Sequence, residues 1–145
     1  MGKYKSLFIV LGVVVIIGIT TLIVVVGNKN KTNTNSTVVD NFIAKTIYNN
    51  TLGNYLAEPD GQALYTYNLD GFNKSNCLGS CLSLWPGYYA SKQVSGLPIN
   101  FSVFKRSDNG KLQYSYKGHP LYTFKSEGPD RATGNGIAGF YLARP

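Results

Sequence analysis

Few residues of this chain have both the type and the spacing to do chemistry. Cys77 and Cys81 are its only cysteines, set Cys-x-x-x-Cys around Gly79. In an oxidising compartment two such thiols read as a disulfide, whose short loop gives little chain-entropy stabilisation and chiefly fixes the turn before Trp85. The same two thiolates with His119, the single histidine, form a soft donor set suited to Cu(I). Structural zinc would need a fourth ligand from Asp or Glu. His119 precedes Pro120, which biases it to an extended conformation at a turn, the ordinary place for an exposed histidine.

Asp70 and Glu127 are the second set. They end equivalent stretches of sequence, and a fold with internal two-fold symmetry would bring them together as an acid/base pair. The plainer reading is an acid at a strand end that accepts hydrogen bonds from the following turn. A Ser-His-Asp arrangement would have to use His119, and no nucleophile, base and orienter stand out together, so catalysis is not expected.

These residues are positioned by a repeat. Gly61-Gln62-Ala63-Leu64-Tyr65-Thr66-Tyr67-Asn68-Leu69-Asp70 returns as Gly118-His119-Pro120-Leu121-Tyr122-Thr123-Phe124-Lys125-Ser126-Glu127, 57 residues later. Gly, Leu, Tyr, Thr, an aromatic and a terminal acid recur in one register, which implies two related half-units. Leu64 and Leu121 should occupy equivalent buried sites. Tyr65, Tyr67, Tyr114, Tyr116 and Tyr122 alternate with neighbours that point the other way, so some should face the core and others the surface. Trp85-Pro86 should plug one end of the core.

The runs around the repeat are short, rich in β-branched and aromatic residues, and separated by turn residues every eight to twelve positions. Strands are expected over residues 42–48, 55–58, 63–68, 102–105, 112–116, 121–124 and 139–143. Pro59-Asp60-Gly61 and Ser107-Asp108-Asn109-Gly110 supply turns. A short turn of helix fits 81–84; no other segment after residue 38 has a helical apolar stripe. The fold class is therefore mainly β, a small antiparallel domain made of two related half-units.

The N-terminus is different in kind. Residues 7–26 are apolar except for two Gly and two Thr, and as a helix would be about 30 Å long, enough to span a bilayer. Lys3 and Lys5 precede it, placing the N-terminus in the cytoplasm and the rest outside. No small-x-small site follows it, and it holds no Cys for lipid attachment, so an uncleaved signal anchor is expected over 1–27. Residues 28–37 are wholly polar and read as a disordered stalk, leaving 38–145 as the exterior domain. Sequons at Asn30, Asn35, Asn49, Asn73 and Asn100 would be candidate glycosylation sites in an archaeal or eukaryotic host. The net charge of +7 falls to +3 from residue 38 on, with ten basic and seven acidic residues. Lys105-Arg106 is then the only adjacent basic pair, so no nucleic-acid partner is expected.

The two Leu-Tyr-x-aromatic-x-x-acid copies, Cys77-Leu78-Gly79-Ser80-Cys81, Leu84-Trp85-Pro86 and the stretch from Leu112 to Tyr122 resemble a family of bacterial and archaeal secreted repeats of unknown function. These are described as predicted lipoproteins with a Tyr-x-(Phe/Trp/Tyr)-x-x-Asp motif. The resemblance covers roughly residue 52 to the C-terminus and marks Leu64, Tyr65, Tyr67, Asp70, Trp85, Pro86, Leu121, Tyr122, Phe124 and Glu127 as motif residues. Two departures are the missing lipoprotein Cys and Glu127 in place of Asp. The resemblance implies an envelope-associated exterior domain and supplies no activity. The expected function is a membrane-anchored structural or interaction module without a cofactor, held by its helix and meeting other envelope proteins. The alternatives are a copper-handling or thiol-redox protein using Cys77, Cys81 and His119, and an accessory subunit of a membrane complex. A pilin-like filament subunit ranks last, because no charged processing site precedes the apolar helix.

Overall fold

The computed structural model describes residues 43–145. The expected anchor, the stalk, and Asn30 and Asn35 lie outside the described residues. Among the described residues no helix is long and apolar enough to cross a membrane. The architecture is mainly β and every strand pair is antiparallel.

In chain order the strands are β1 (Lys45–Ile47), β2 (Tyr55–Ala57), β3 (Tyr65–Tyr67), β4 (Tyr89–Ala90), β5 (Phe101–Lys105), β6 (Leu112–Tyr116), β7 (His119–Pro120) and β8 (Phe140–Leu142). The one-turn helix α1 (Cys81–Leu84) falls where the sequence suggests it. β1 pairs with β2, β3 pairs with β8, and β6 lies between β4 and β5 with β7 also on it.

Residues 121–124 do not form the expected strand. Tyr122 makes only isolated bridges, to Tyr65 and to Gly87. Its neighbour on one side runs through Pro86, which has no N–H to donate, so the ladder breaks after single bonds. The short β4 is not legible in the sequence at all.

The two copies of the repeat meet directly. Tyr65 and Tyr122 exchange both backbone hydrogen bonds, each at 2.9 Å. Around that point the backbone closes two matching rings. Leu56 donates to Ala143, Ala143 to Leu64 and Leu64 to Leu56; correspondingly, Tyr114 donates to Tyr88, Tyr88 to Leu121 and Leu121 to Tyr114. Further out, Asn68 donates to Gly139 as Lys125 does to Leu84. The segment after each motif therefore pairs with the other motif and not with its own.

Side chains follow the same pattern. Trp85 and Phe140 stack face to face at 4.0 Å between ring centroids. Tyr67 stacks on the outer face of Phe140 and Phe124 on that of Trp85. Tyr65 meets Trp85 edge-on, as Tyr122 meets Phe140. Such pairs each contribute about 0.5–1.5 kcal/mol beyond their burial. Trp85 thus sits in the middle of a four-ring stack, not at an end of the core. Its indole N–H is the one buried side-chain polar atom left unpaired among the described residues.

Both copies open with glycine for a backbone reason. Gly61 and Gly118 have φ of +105° and +80° and accept from Asp130 and Asn73 respectively. A Cβ would run into the Asp130 side chain at Gly61 and into the Phe72 ring at Gly118. Leu64 and Leu121 are both fully buried, as their shared register requires.

Candidate functional site

The acids that end the two motifs do not face an open cleft. Each is held by the tyrosine of the other copy. The Tyr65 hydroxyl donates to Glu127, 2.8 Å from Oε1 and 2.9 Å from Oε2, and the Tyr122 hydroxyl donates to Asp70 Oδ2 at 2.7 Å. The turn after each acid completes the cradle. Glu127 accepts from the Thr133 N–H and hydroxyl and from the Gly134 N–H; Asp70 accepts from the Asn76 N–H at 2.6 Å. The expectation that the acids receive bonds from the following turn is met, and the crossed tyrosines are added to it.

Electrostatics keep these groups in fixed roles. Burial, then the hydrogen bond to Glu127, pushes the Tyr65 hydroxyl far above its ordinary range; burial does the same to Tyr122, with the Asp70 charge adding to it. Both phenols therefore stay protonated and donate. Burial raises the Asp70 carboxyl, opposed by the Asn76 N–H and the Tyr122 hydroxyl.

Next to the Tyr122 lock lies a polar layer built on Arg106. Its guanidinium is buried and all five N–H groups are used: Nε and Nη2 on the Asp108 carboxylate, Nη1 on Ser75 Oγ and Gln113 Oε1, and Nη2 on the Cys77 carbonyl. Ser75 Oγ in turn exchanges a 2.6 Å hydrogen bond with the Tyr122 hydroxyl. Gln113 passes the layer on to the Leu121 carbonyl. The bonds from Arg106 hold the Asp108 carboxyl below its ordinary value.

A cavity of about 200 Å³ opens beside this layer, lined by Asn73, Lys74, Phe104, Lys105 and Asp108 among others. With every donor satisfied, Arg106 has none to offer a ligand there.

β6 carries this polar layer on one face, so both its faces are buried. Tyr114 and Tyr116 face the core, and the intervening Gln113 and Ser115 are equally enclosed. Ser115 donates to Asn73 Oδ1 at 2.6 Å, which leaves the Ser102 hydroxyl to donate to Ser115 Oγ at 2.7 Å. Asn73 is therefore engaged, and Ser75 of its sequon is buried. Asn49 caps its own turn by accepting from the Thr51 and Leu52 N–H groups, and Asn100 is exposed.

Cys77 and Cys81 are joined, with Cα atoms 5.3 Å apart. Cys77 is buried in the aromatic core and Cys81 is half-buried at the start of α1. The bridge ties the turn that cradles Asp70 to the helix that delivers Trp85. His119 is exposed on β7, opposite Tyr116. Among the described residues, no three His, Cys, Asp or Glu side chains converge where they could hold a metal ion.

Sequence reading gave Arg106, Ser75, Gln113 and Ser115 no part in a site and took Asn73 only as a sequon. The one signal available was the pair of polar residues alternating with tyrosines in β6. The largest exposed apolar side chains are Phe72, Ile99 and Tyr48, each more than four-fifths accessible. The chain matches no family model, no curated protein and no solved structure.

Proposed function

We propose that this protein is an extracytoplasmic structural or interaction module, tethered to the membrane by a helix over residues 7–26 and a polar stalk over 28–37. The carrying observation is that its chemistry-bearing residues are occupied with one another. Asp70 and Glu127 are held by tyrosines, Arg106 by five acceptors, and the two cysteines by each other. A catalytic or ligand-binding constellation instead leaves polar groups convergent on open space. The exposed side chains of Phe72, Ile99 and Tyr48 are what the surface offers to a partner. A disulfide inside the domain fits an oxidising exterior. This reading places the chain beside the secreted repeats of unknown function that its motifs resemble.

The experiment is purification from native membranes, with identification of whatever remains bound, after protease treatment of intact cells. The proposal expects the domain to be shaved from whole cells, leaving a small membrane-embedded N-terminal fragment. It also expects stoichiometric envelope or membrane proteins in the purified complex. A domain protected in intact cells, or a mature N-terminus near residue 27, would refute the tethered topology. A lone protein in every preparation would refute the partner.

A further inference from the structure

The segments that complete each motif are contributed by the other copy, and this arrangement has a consequence for assembly. The tail of the first copy, residues 84–88, hydrogen-bonds to Leu121, Thr123, Lys125 and Tyr114; that of the second, 139–143, bonds to Leu56, Leu64 and Asn68. Trp85 belongs to the first tail and Phe140 to the second, so the central stack is shared equally. Neither half completes its backbone bonding alone, and the ring faces of Trp85 and Phe140 are each covered by rings of the other half.

Three observations bear on whether the exchange must stay inside one chain. The halves are joined by residues 91–100, a segment that is mostly exposed, with only Val94 and Leu97 resting on the core. The one disulfide lies within the first half, so no covalent bridge ties the halves together. The backbone bonding of motifs and tails is reciprocal, each motif taking its bonds from the other half's tail at equivalent positions, while Arg106 and Asn73 add bonds that have no counterpart. A surface with that property is satisfied equally well by the opposite half of another molecule.

We propose that the surface between the two halves is a self-association surface, and that a second copy of this chain occupies it by exchanging halves, forming a dimer in which each globule holds the first half of one chain and the second half of the other. The connector decides the balance. Ala90 stands opposite Leu112 and Phe101 opposite Tyr116, with β4 and β5 on either side of β6. The direct path between them is about 16 Å from strand spacing and rise per residue. Ten connecting residues reach that easily, so the closed monomer competes at an effective concentration in the millimolar range. Tethering at a membrane raises the competing concentration of second copies.

The test uses the full chain in detergent. Deleting residues 92–98 leaves three connecting residues, which span at most about 14 Å. The closed monomer then cannot form, while the exchanged dimer keeps every contact except those of the deleted segment, the packing of Val94 and Leu97 among them. The expected result is a dimer by light scattering with native fluorescence from Trp85, the only tryptophan. A second measurement uses two full chains, Leu64→Arg and Leu121→Arg, each crippled in a different half. Refolded alone, neither should recover native tryptophan emission. Refolded together, they should give a heterodimer with about half the native signal per chain, because one intact first half meets one intact second half. A shortened chain that stays a native monomer, or that unfolds without dimerising, overturns the proposal. So does a mixture that recovers no more than its separate components.

Discussion

The crossed tyrosine–acid pairs make a quantitative prediction, because the sequence would allow a different pairing. Tyr65 is five residues from Asp70 and 62 from Glu127, yet it is Glu127 that its hydroxyl reaches. Tyr65→Phe removes one donor from a buried carboxylate that keeps three others, from Thr133 and Gly134. A hydrogen bond to a charged group is worth about 1.5–3 kcal/mol, and the remaining donors put this one near the low end. Tyr122→Phe should cost somewhat more, since its hydroxyl serves both Asp70 and Ser75. The assay is a set of double-mutant cycles read by denaturant unfolding of Trp85 fluorescence. Tyr65→Phe with Glu127→Gln should couple by about 1–2 kcal/mol, and so should Tyr122→Phe with Asp70→Asn. Tyr65→Phe with Asp70→Asn should be additive to within about 0.5 kcal/mol. Strong coupling within a copy and none across copies would refute the crossed arrangement.

Three other outcomes follow from the same structure. Leu64→Ala and Leu121→Ala should each lower unfolding stability by about 2–5 kcal/mol, as truncations at buried sites do, and by similar amounts because the sites are equivalent. Burial, reinforced by the Asp60 charge, pushes the Glu58 carboxyl up to about 7. The folded state then binds more protons than the unfolded chain, so stability should fall as pH rises from about 4.5 to about 7, by roughly 1–2 kcal/mol after allowance for solvent screening. Glu58→Gln should flatten that part of the pH profile in thermal melts; an unchanged slope would refute the assignment. Mass spectrometry of non-reduced native protein should find it two hydrogens lighter than the reduced form, while stoichiometric Cu(I) on free thiols, lost in His119→Ala, would establish the copper reading instead.

How much of this was legible depends on whether a feature is local. Gly61, Leu64, Tyr65, Gly118, Leu121 and Tyr122 carry matching types at matching spacing, so the repeat and its buried leucines could be read directly. The Cys77–Cys81 bridge and the turn of helix at Cys81–Leu84 depend on residues four apart or fewer and were equally visible. The tails were not. Leu84-Trp85-Pro86-Gly87-Tyr88 and Gly139-Phe140-Tyr141-Leu142-Ala143 do the same work, but they share little sequence and lie 55 residues apart, against 57 for the motifs. The two-residue slip hides the correspondence. Arg106 was hidden for another reason. Beside Lys105 it reads as surface charge, and only the convergence of Ser75, Cys77, Asp108 and Gln113 makes a dry site for it.

The exchanged tails also govern how the domain gains its stability. A self-contained repeat would bury its own aromatics and could fold before its neighbour. Here the first copy has Trp85 but needs Phe124 and Phe140 to cover it, and the second has Phe140 but needs Tyr67 and Trp85. Neither copy recovers its ordering entropy until both are present, so the cost of closing the long loop between them comes first and the reward after. Local devices narrow that gap. The disulfide shapes the turn ahead of Trp85, and the glycines at 61 and 118 set the backbone that brings each motif to its strand. The buried acids then make the association specific. A carboxylate enclosed without its tyrosine forgoes a hydrogen bond worth about 1.5–3 kcal/mol, so a mispaired assembly that leaves both Asp70 and Glu127 unserved is penalised at each acid.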